Sequence, residues 1–221
     1  TPHTSKLVFD MMGELFDQKE VSVIEGAKEE SEQLLEKPFN HIFFTGSESI
    51  GKKVVQASSK FLSSVTLELG GKSPVVVDRG YNPSKVINRL VATKFVNLGQ
   101  TCIAPDYVII SEDDYKDFLD LLIKKIHTCY GDSFKEQLGS SSLARIVNKA
   151  QHSRLVELIN SNKDNVVYGG EYSDEDLFIA PTIINVSSHR EEPLKQEIFG
   201  PIIPIVTFSN EENLESILSN I

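Results

Sequence analysis

The sequence predicts an α/β protein with helices packed on a largely parallel sheet. Three observations predict it: β-branched or aromatic runs of strand length, stretches with apolar residues at helical spacing, and alternation of the two along most of the chain. The chain starts at Thr1-Pro2 and runs at once into a helical pattern of Leu7, Val8, Met11, Met12, Leu15 and Phe16. Candidate strands follow at residues 21–24, 41–45, 65–69, 75–78, 107–110, 166–168 and 202–208. From Pro83 a helical stripe carries Ile87, Leu90, Val91, Phe95 and Leu98, and proline suits a first helical turn because its missing N–H would be unpaired there anyway. From Glu112 a second stripe carries Tyr115, Phe118, Leu119, Leu122, Ile123 and Ile126, and Leu143, Ile146, Val147 and Ala150 mark a third. These stripes read as core, and the sequence stops at Ile221 inside another helical pattern.

Composition narrows the class. In 221 residues, 22 Lys and Arg stand against 32 Asp and Glu, a net charge of −10, which argues against a nucleic-acid-binding module. With 40% hydrophobic and 24% charged residues the chain can bury a core, unlike a disordered segment. Uncharged apolar stretches such as residues 201–208 fall short of the roughly 18 residues a membrane-spanning helix needs. The first nine residues lack a secretory leader, and the two cysteines, Cys102 and Cys129, exclude a disulfide framework. The expectation is an intracellular protein, cytoplasmic by default, with a membrane anchor or organelle signal outside this segment left open. The triplet Asn185-Val186-Ser187 matches a glycosylation sequon and is taken as silent.

A change of style at Glu68-Leu69-Gly70-Gly71-Lys72 suggests a domain boundary, giving residues 1–70 and 71–221. Four segments hold candidate sites. In Phe43-Phe44-Thr45-Gly46-Ser47-Glu48-Ser49-Ile50-Gly51-Lys52-Lys53 a strand leads through a glycine turn into a helix, which would aim unpaired N–H groups and the positive dipole end at a phosphate. The segment nearly satisfies the P-loop pattern, but Lys53 stands where a Ser or Thr should hold magnesium, and Glu48 breaks a G-x-G-x-x-G fingerprint. An ordinary strand-to-helix turn explains it equally well. Cys102 lies in Gly99-Gln100-Thr101-Cys102-Ile103-Ala104-Pro105, a loop constrained by glycine and proline, where reactive groups tend to be placed. The bland alternative is a buried packing residue. Cys129, at the end of an amphipathic helix, is read as structural.

Glu68 shares a strand face with Thr66 and Gly70, opposite Val65, Leu67 and Leu69. A carboxylate at a strand end before paired glycines could be partly desolvated and poised as a general base, or simply lie on the surface. Gln196-Glu197-Ile198-Phe199-Gly200-Pro201 projects a carboxylate and an aromatic ring from a turn, suited either to a planar ligand with ribose hydroxyls or to a plain turn before a strand. The five histidines, His3, His41, His127, His152 and His189, are scattered, so no metal site is supported. No Gly-x-Ser-x-Gly elbow anchors a serine hydrolase.

Together these segments resemble the aldehyde dehydrogenase superfamily. Residues 43–51 are similar to its phosphate-seat turn, residues 67–72 to its Glu-Leu-Gly-Gly-Lys motif, residues 99–102 to its nucleophile loop, and residues 197–201 to its Glu-x-Phe-Gly-Pro motif. Four motifs in the family's order span essentially the whole chain, and the wording of residues 67–74 and 102–107 looks closest to the class 3, fatty-aldehyde-type branch. The resemblance implies part of a Rossmann-like cofactor domain in residues 1–70, followed by a truncated α/β catalytic domain in residues 71–221. It implies that Cys102 is the nucleophile and Glu68 the base that activates water. It implies that Gly46, Ser47, Leu69, Glu197 and Phe199 serve the cofactor, with Gly46 and Ser47 at the pyrophosphate, Glu197 on the nicotinamide ribose and Phe199 beside the ring.

The cofactor so implied is NAD or NADP, because the ribose contacts that would decide lie before Thr1. The substrate implied is an aldehyde, long-chain or aromatic, and the full-length assembly a homodimer. The family's Lys-Pro-Ser-Glu motif and oxyanion-hole asparagine would precede Thr1, and its Pro-Phe-Gly-Gly segment and oligomerisation strand would follow Ile221. The expectation is therefore the middle of a longer enzyme, inactive alone. Three rivals remain: a coenzyme A-acylating dehydrogenase, which Glu68 argues against; a P-loop nucleotide-binding domain, which Lys53 argues against; and a non-catalytic protein that keeps the fold.

Overall fold

A computed structural model describes residues 1–187 and 191–219; His189 lies outside the described residues. The chain falls into two compact units, Thr1–Leu69 and Gly70–Ile221.

The first unit begins with helix α1 (Pro2–Leu15), in which no residue is buried. Helix α2 (Lys28–Leu35) follows, with Glu30 reaching back to the Ala27 N–H at 2.7 Å. Strands β1 (His41–Thr45) and β2 (Ser64–Glu68) pair in parallel, from His41 opposite Ser64 to Thr45 opposite Glu68. Helix α3 (Glu48–Ser58) makes the crossover, as parallel strands require. It packs closely because Gly51 has no side chain: a Cβ there would sit 3.0 Å from a Leu69 methyl. Residues 21–24 do not form the expected strand. Val21 and Val23 are only half-buried and Ile24 is 56% exposed, and among the described residues no strand pairs with this segment to supply the ladder it needs.

The second unit is built on a five-stranded sheet in the order β3-β4-β9-β8-β5. Strands β3 (Pro74–Val77) and β4 (Tyr107–Ser111) flank helix α4 (Pro83–Phe95) in sequence. After β4 come helices α5 (Glu112–Tyr130), α6 (Phe134–Gly139) and α7 (Lys149–Ser161). Strand β5 (Val166–Tyr168) precedes a small hairpin of β6 (Tyr172–Ser173) and β7 (Phe178–Ile179). Strand β8 (Thr182–Val186), the short helix α8 (Glu192–Lys195), strand β9 (Ile202–Phe208) and helix α9 (Glu211–Leu218) complete it. The β3, β4, β9 and β8 pairings are parallel, and β5 joins β8 antiparallel at the edge.

The two central strands explain their own composition. Tyr107–Ser111 is buried on both faces, as is most of Ile202–Phe208, so each reads as a continuous apolar run and not as an alternation. The predicted stripes cover this sheet: Ile87, Leu90, Val91 and Phe95 from α4, and Phe118, Leu122 and Ile126 from α5, are all buried. Side-chain caps fix where helices begin. Asn82 accepts from the Ser84 N–H at 3.0 Å, Ser111 from Asp113 at 3.3 Å, and Asn148 from Gln151 at 2.9 Å.

The expected third stripe is not a helix. Leu143 and Ile146 are buried in an irregular segment, Val147 is 71% exposed, and the helix starts only at Lys149. The reason is tertiary: Ile146 donates its N–H to the Leu177 carbonyl at 2.8 Å, and Gln100 takes the neighbouring peptide groups, as described below. Strand β8, apolar at Ile183, Ile184 and Val186, was not among the expected strands. Among the described residues no helix is long and apolar enough to cross a membrane.

Candidate active site

Cys102 sits at the exposed tip of a turn closed by the Ala104 N–H on the Thr101 carbonyl at 3.0 Å. The backbone leading into it is held in an uncommon conformation: Asn97 (φ 50°) and Leu98 (φ 56°) are left-handed, and Gly99 follows at φ +76°. For a residue such as Leu98 this conformation costs roughly 1–3 kcal/mol, so surrounding contacts must impose it. Those contacts are visible. Leu98 is fully buried, and the Asn97 side chain donates to the Gln100 carbonyl at 3.0 Å. The Gln100 amide donates to the carbonyls of Asn97 (3.0 Å) and Arg145 (2.9 Å), and its oxygen accepts the Val147 N–H at 2.9 Å. The cysteine is thus a free thiol on an over-determined turn, and not core packing. Cys129 is exposed in the last turn of α5, so it too does no packing.

The loop carrying Glu197 and Phe199 leans on the same turn. A Cβ at Gly99 would collide with the Gly200 carbonyl, so only glycine permits the two backbones to meet there. Phe199, half-buried, is itself left-handed at φ 50°. The Glu197 carboxylate is half-buried against the Gly-Gly turn: it accepts the Gly71 N–H, and a Cβ on Gly70 would strike its oxygens. Burial pushes its carboxyl above the ordinary range, with the Gly71 N–H, Arg154 and Lys72 working against that shift and Asp106 with it.

Charged side chains brace these loops from below. Asp106 is 3% exposed; it receives the Lys72 ammonium on one oxygen and the Ile198 N–H on the other at 2.8 Å. Lys72 also donates to the carbonyls of Pro193 (3.2 Å) and Gln196 (3.1 Å). Arg154 reaches from α7 to the Ile198 carbonyl at 2.6 Å. Lys94 is fully enclosed at 1% exposure and donates to the Pro105 carbonyl at 2.8 Å; burial lowers its pKa from 10.5 to about 8, with nearby Asp106 opposing that shift. None of these was singled out from the sequence. Lys94 left a legible signal, a cation inside the apolar stripe Leu90, Val91, Phe95, Leu98. Asp106 and Lys72 lie within the motifs of residues 102–107 and 67–72 but have no periodicity to mark them.

In the first unit, Ser47 is the residue before α3, and Gly46 donates its N–H to the Glu68 carbonyl at 3.0 Å. The Ser47 side chain caps no backbone group and instead meets the Ser49 hydroxyl at 3.0 Å. The first N–H groups of α3 thus keep no serine cap and point outward with the positive dipole end. Lys52, the lysine of the near P-loop pattern, pairs with Glu48 at 2.6 Å on the surface. Glu68 ends β2 exposed, on the face opposite half-buried Val65 and Leu67, so of its two expected placements this chain shows the surface one; Leu69 follows, half-buried. Among the described residues no cluster of three or more His, Cys, Asp or Glu could hold a metal ion.

A mostly parallel sheet with helices packed on it, carrying an exposed thiol and a pinned carboxylate on adjoining loops, places the chain in the α/β class. It belongs to the aldehyde dehydrogenase family, whose sequence profile matches residues 1–219. Its relatives include the 4,4'-diaponeurosporen-aldehyde dehydrogenase of Staphylococcus aureus, 40% identical over 95% of this chain and 45% of that protein. Human aldehyde dehydrogenase family 3 member B1 is 39% identical over 97% of this chain and 45% of its own length. The solved structure of Staphylococcus aureus AldH in its substrate-bound state superposes with a TM-score of 0.89 at 38% identity, covering 99% of this chain and 46% of that one. Another solved structure of this fold was determined in complex with nicotinamide adenine dinucleotide. The chain spans about half the length of the curated relatives it matches.

Proposed function

We propose that this chain carries the thiol and part of the cofactor seat of an enzyme that oxidises an aldehyde to a carboxylic acid with NAD(P)+. Residues 1–70 serve as part of the cofactor domain and residues 71–221 as part of the catalytic domain. The observation that carries the reading is Cys102: an exposed thiol on a strained, fully braced turn whose backbone abuts the loop of Glu197 and Phe199.

The Cys102 sulfur, as thiolate, adds to the carbonyl carbon, and the backbone N–H groups of its turn hold the resulting oxyanion. When bound, NAD(P)+ supplies the acceptor for the hydride that leaves that carbon. The carbon then remains on Cys102 as a thioester. Glu68 takes a proton from water, the hydroxyl adds to the thioester, and the carbon–sulfur bond breaks to release the acid and restore the thiolate. The half-buried Glu197 carboxylate accepts hydrogen bonds from the ribose hydroxyls and Phe199 packs beside the ring. Gly46 and Ser47, with the uncapped N–H groups of α3, face the pyrophosphate, and Leu69 lines the same seat. The substrate class is an aldehyde of long-chain or aromatic type, as the class 3 resemblance implies, and the complete enzyme is a homodimer.

The test uses the enzyme expressed from its complete reading frame. Cys102→Ser removes NAD(P)H production, whereas Glu68→Gln keeps a first-turnover burst of NAD(P)H and stalls afterwards. Full steady-state turnover by Cys102→Ser overturns the reading.

A further inference from the structure

The mechanism above makes no use of the Lys72–Asp106 ion pair, although it is the most deeply enclosed Lys or Arg pair among the described residues, with side chains 17% and 3% exposed. Desolvating two such charges is costly, and a hydrophobic pair of the same size would often serve stability as well. What a hydrophobic pair could not do is hold polar backbone. Lys72 donates to the Gln196 carbonyl at 3.1 Å and Asp106 accepts the Ile198 N–H at 2.8 Å. The peptide before Glu197 and the peptide after it are therefore each fastened to one member of the pair. Lys72 also holds the Pro193 carbonyl at 3.2 Å, so the whole segment 193–198 is anchored from one point.

The other side of the clamp runs toward the thiol. Asp106 lies four residues beyond Cys102, and its N–H donates to the Ser73 carbonyl at 2.9 Å. The adjoining Pro105 carbonyl is held by the buried Lys94 at 2.8 Å. The Tyr107 ring lies 5.1 Å from the Lys72 ammonium, which limits where that cation can move.

We propose that Lys72 and Asp106 are positioning residues that fix the Glu197 carboxylate, and with it the nicotinamide ribose, relative to the turn of Cys102. The inference rests on the functional reading above, which gives Glu197 its ribose. The pair acts through Glu197 and touches neither aldehyde nor reacting atoms. It predicts a specific kinetic pattern, because a displaced ribose-binding carboxylate weakens nucleotide binding while the aldehyde approach is left alone.

The experiment compares wild type, Lys72→Met, Lys72→Arg and Asp106→Asn in the enzyme from its complete reading frame, with NADH and NADPH binding followed by nucleotide fluorescence. Lys72→Met raises the KM for the oxidised nucleotide and the Kd for its reduced form by about tenfold, with the aldehyde KM within about twofold. Lys72→Arg, which keeps the charge, recovers most of that loss. The pH profile supplies a second readout. The charged groups that act on Glu197 are Asp106, Arg154, Lys72 and the buried Lys94. Removing the Lys72 cation leaves Asp106 unpaired beside it, so nucleotide binding fails at higher pH on acidification; Asp106→Asn moves that midpoint the other way. A merely structural role lowers kcat through a smaller folded fraction and leaves both KM values and the pH midpoint unchanged, and that result overturns the proposal. Asp106→Asn keeps the shape of its side chain, so it decides the matter if Lys72→Met does not accumulate. Cys102→Ser separates the two claims: if it retains turnover, the functional reading and this inference fall together. If it is inactive while nucleotide KM and Kd are normal in the Lys72 and Asp106 variants, the inference alone fails.

Discussion

Lys94 gives the sharpest link between burial and a measurable energy. Its amine is fully enclosed, and its pKa falls from 10.5 to about 8 because the fold removes water from the ammonium. A shift of about 2.5 pH units corresponds to about 3 kcal/mol held against the charged form. The sign follows from proton counts. Below about pH 8 both the folded and unfolded states carry the proton, and the full penalty is present. Between about pH 8 and the unfolded value the unfolded chain binds more protons than the fold, so stability rises with pH as the penalty is relieved. Lys94→Met removes the penalty but orphans the Pro105 carbonyl, which costs about 1–3 kcal/mol. Near pH 7 the variant and wild type therefore differ by no more than about 2 kcal/mol. From about pH 7 to about pH 10 wild type gains about 2.5 kcal/mol relative to the variant. Urea denaturation of both proteins at the two pH values reads this directly. Parallel stabilities within about 0.5 kcal/mol across that range would show that the buried amine does not titrate as argued.

Two glycine substitutions separate backbone from side-chain effects. Gly99→Ala forces a Cβ against the Gly200 carbonyl and strains a residue at φ +76°, so the Cys102 turn and the Glu197 loop must part. A displacement near 1 Å costs about 100-fold in kcat/KM, with a drop in thermal midpoint, and a variant with wild-type turnover refutes the backbone contact. Gly70→Ala meets only the terminal carboxylate of the Glu197 side chain and no backbone, so the fold keeps its melting temperature while nucleotide KM rises about tenfold. A lowered melting temperature with normal nucleotide KM counts against that placement of the carboxylate.

Local pattern was enough for the frame. The stripes of α4 and α5 face the sheet as their spacing demands, and β4 and β9 announce burial on both faces by lacking alternation. Pattern failed where a distant partner decides. Residues 21–24 have the composition of a strand and no ladder, whereas residues 143–147 have a helical spacing that Gln100 and the Leu177 carbonyl pull into an irregular path. The placement of Cys102, Glu197 and Phe199 on constrained loops was legible because glycine and proline mark those turns. Glu68 was legible as a strand end, while burial and exposure were both open to it until the fold decided for exposure.

The order of motifs alone establishes the family, since it needs only residue types in sequence, and the strand and helix periods establish the class. Only the folded chain decides which groups meet. That Lys72, four residues beyond Glu68, and Asp106, four beyond Cys102, fasten the peptides on either side of Glu197 depends on contacts spanning 34 to 124 residues of separation. No local period encodes such contacts, because burial and backbone hydrogen bonding between loops exist only once the sheet has brought those loops together.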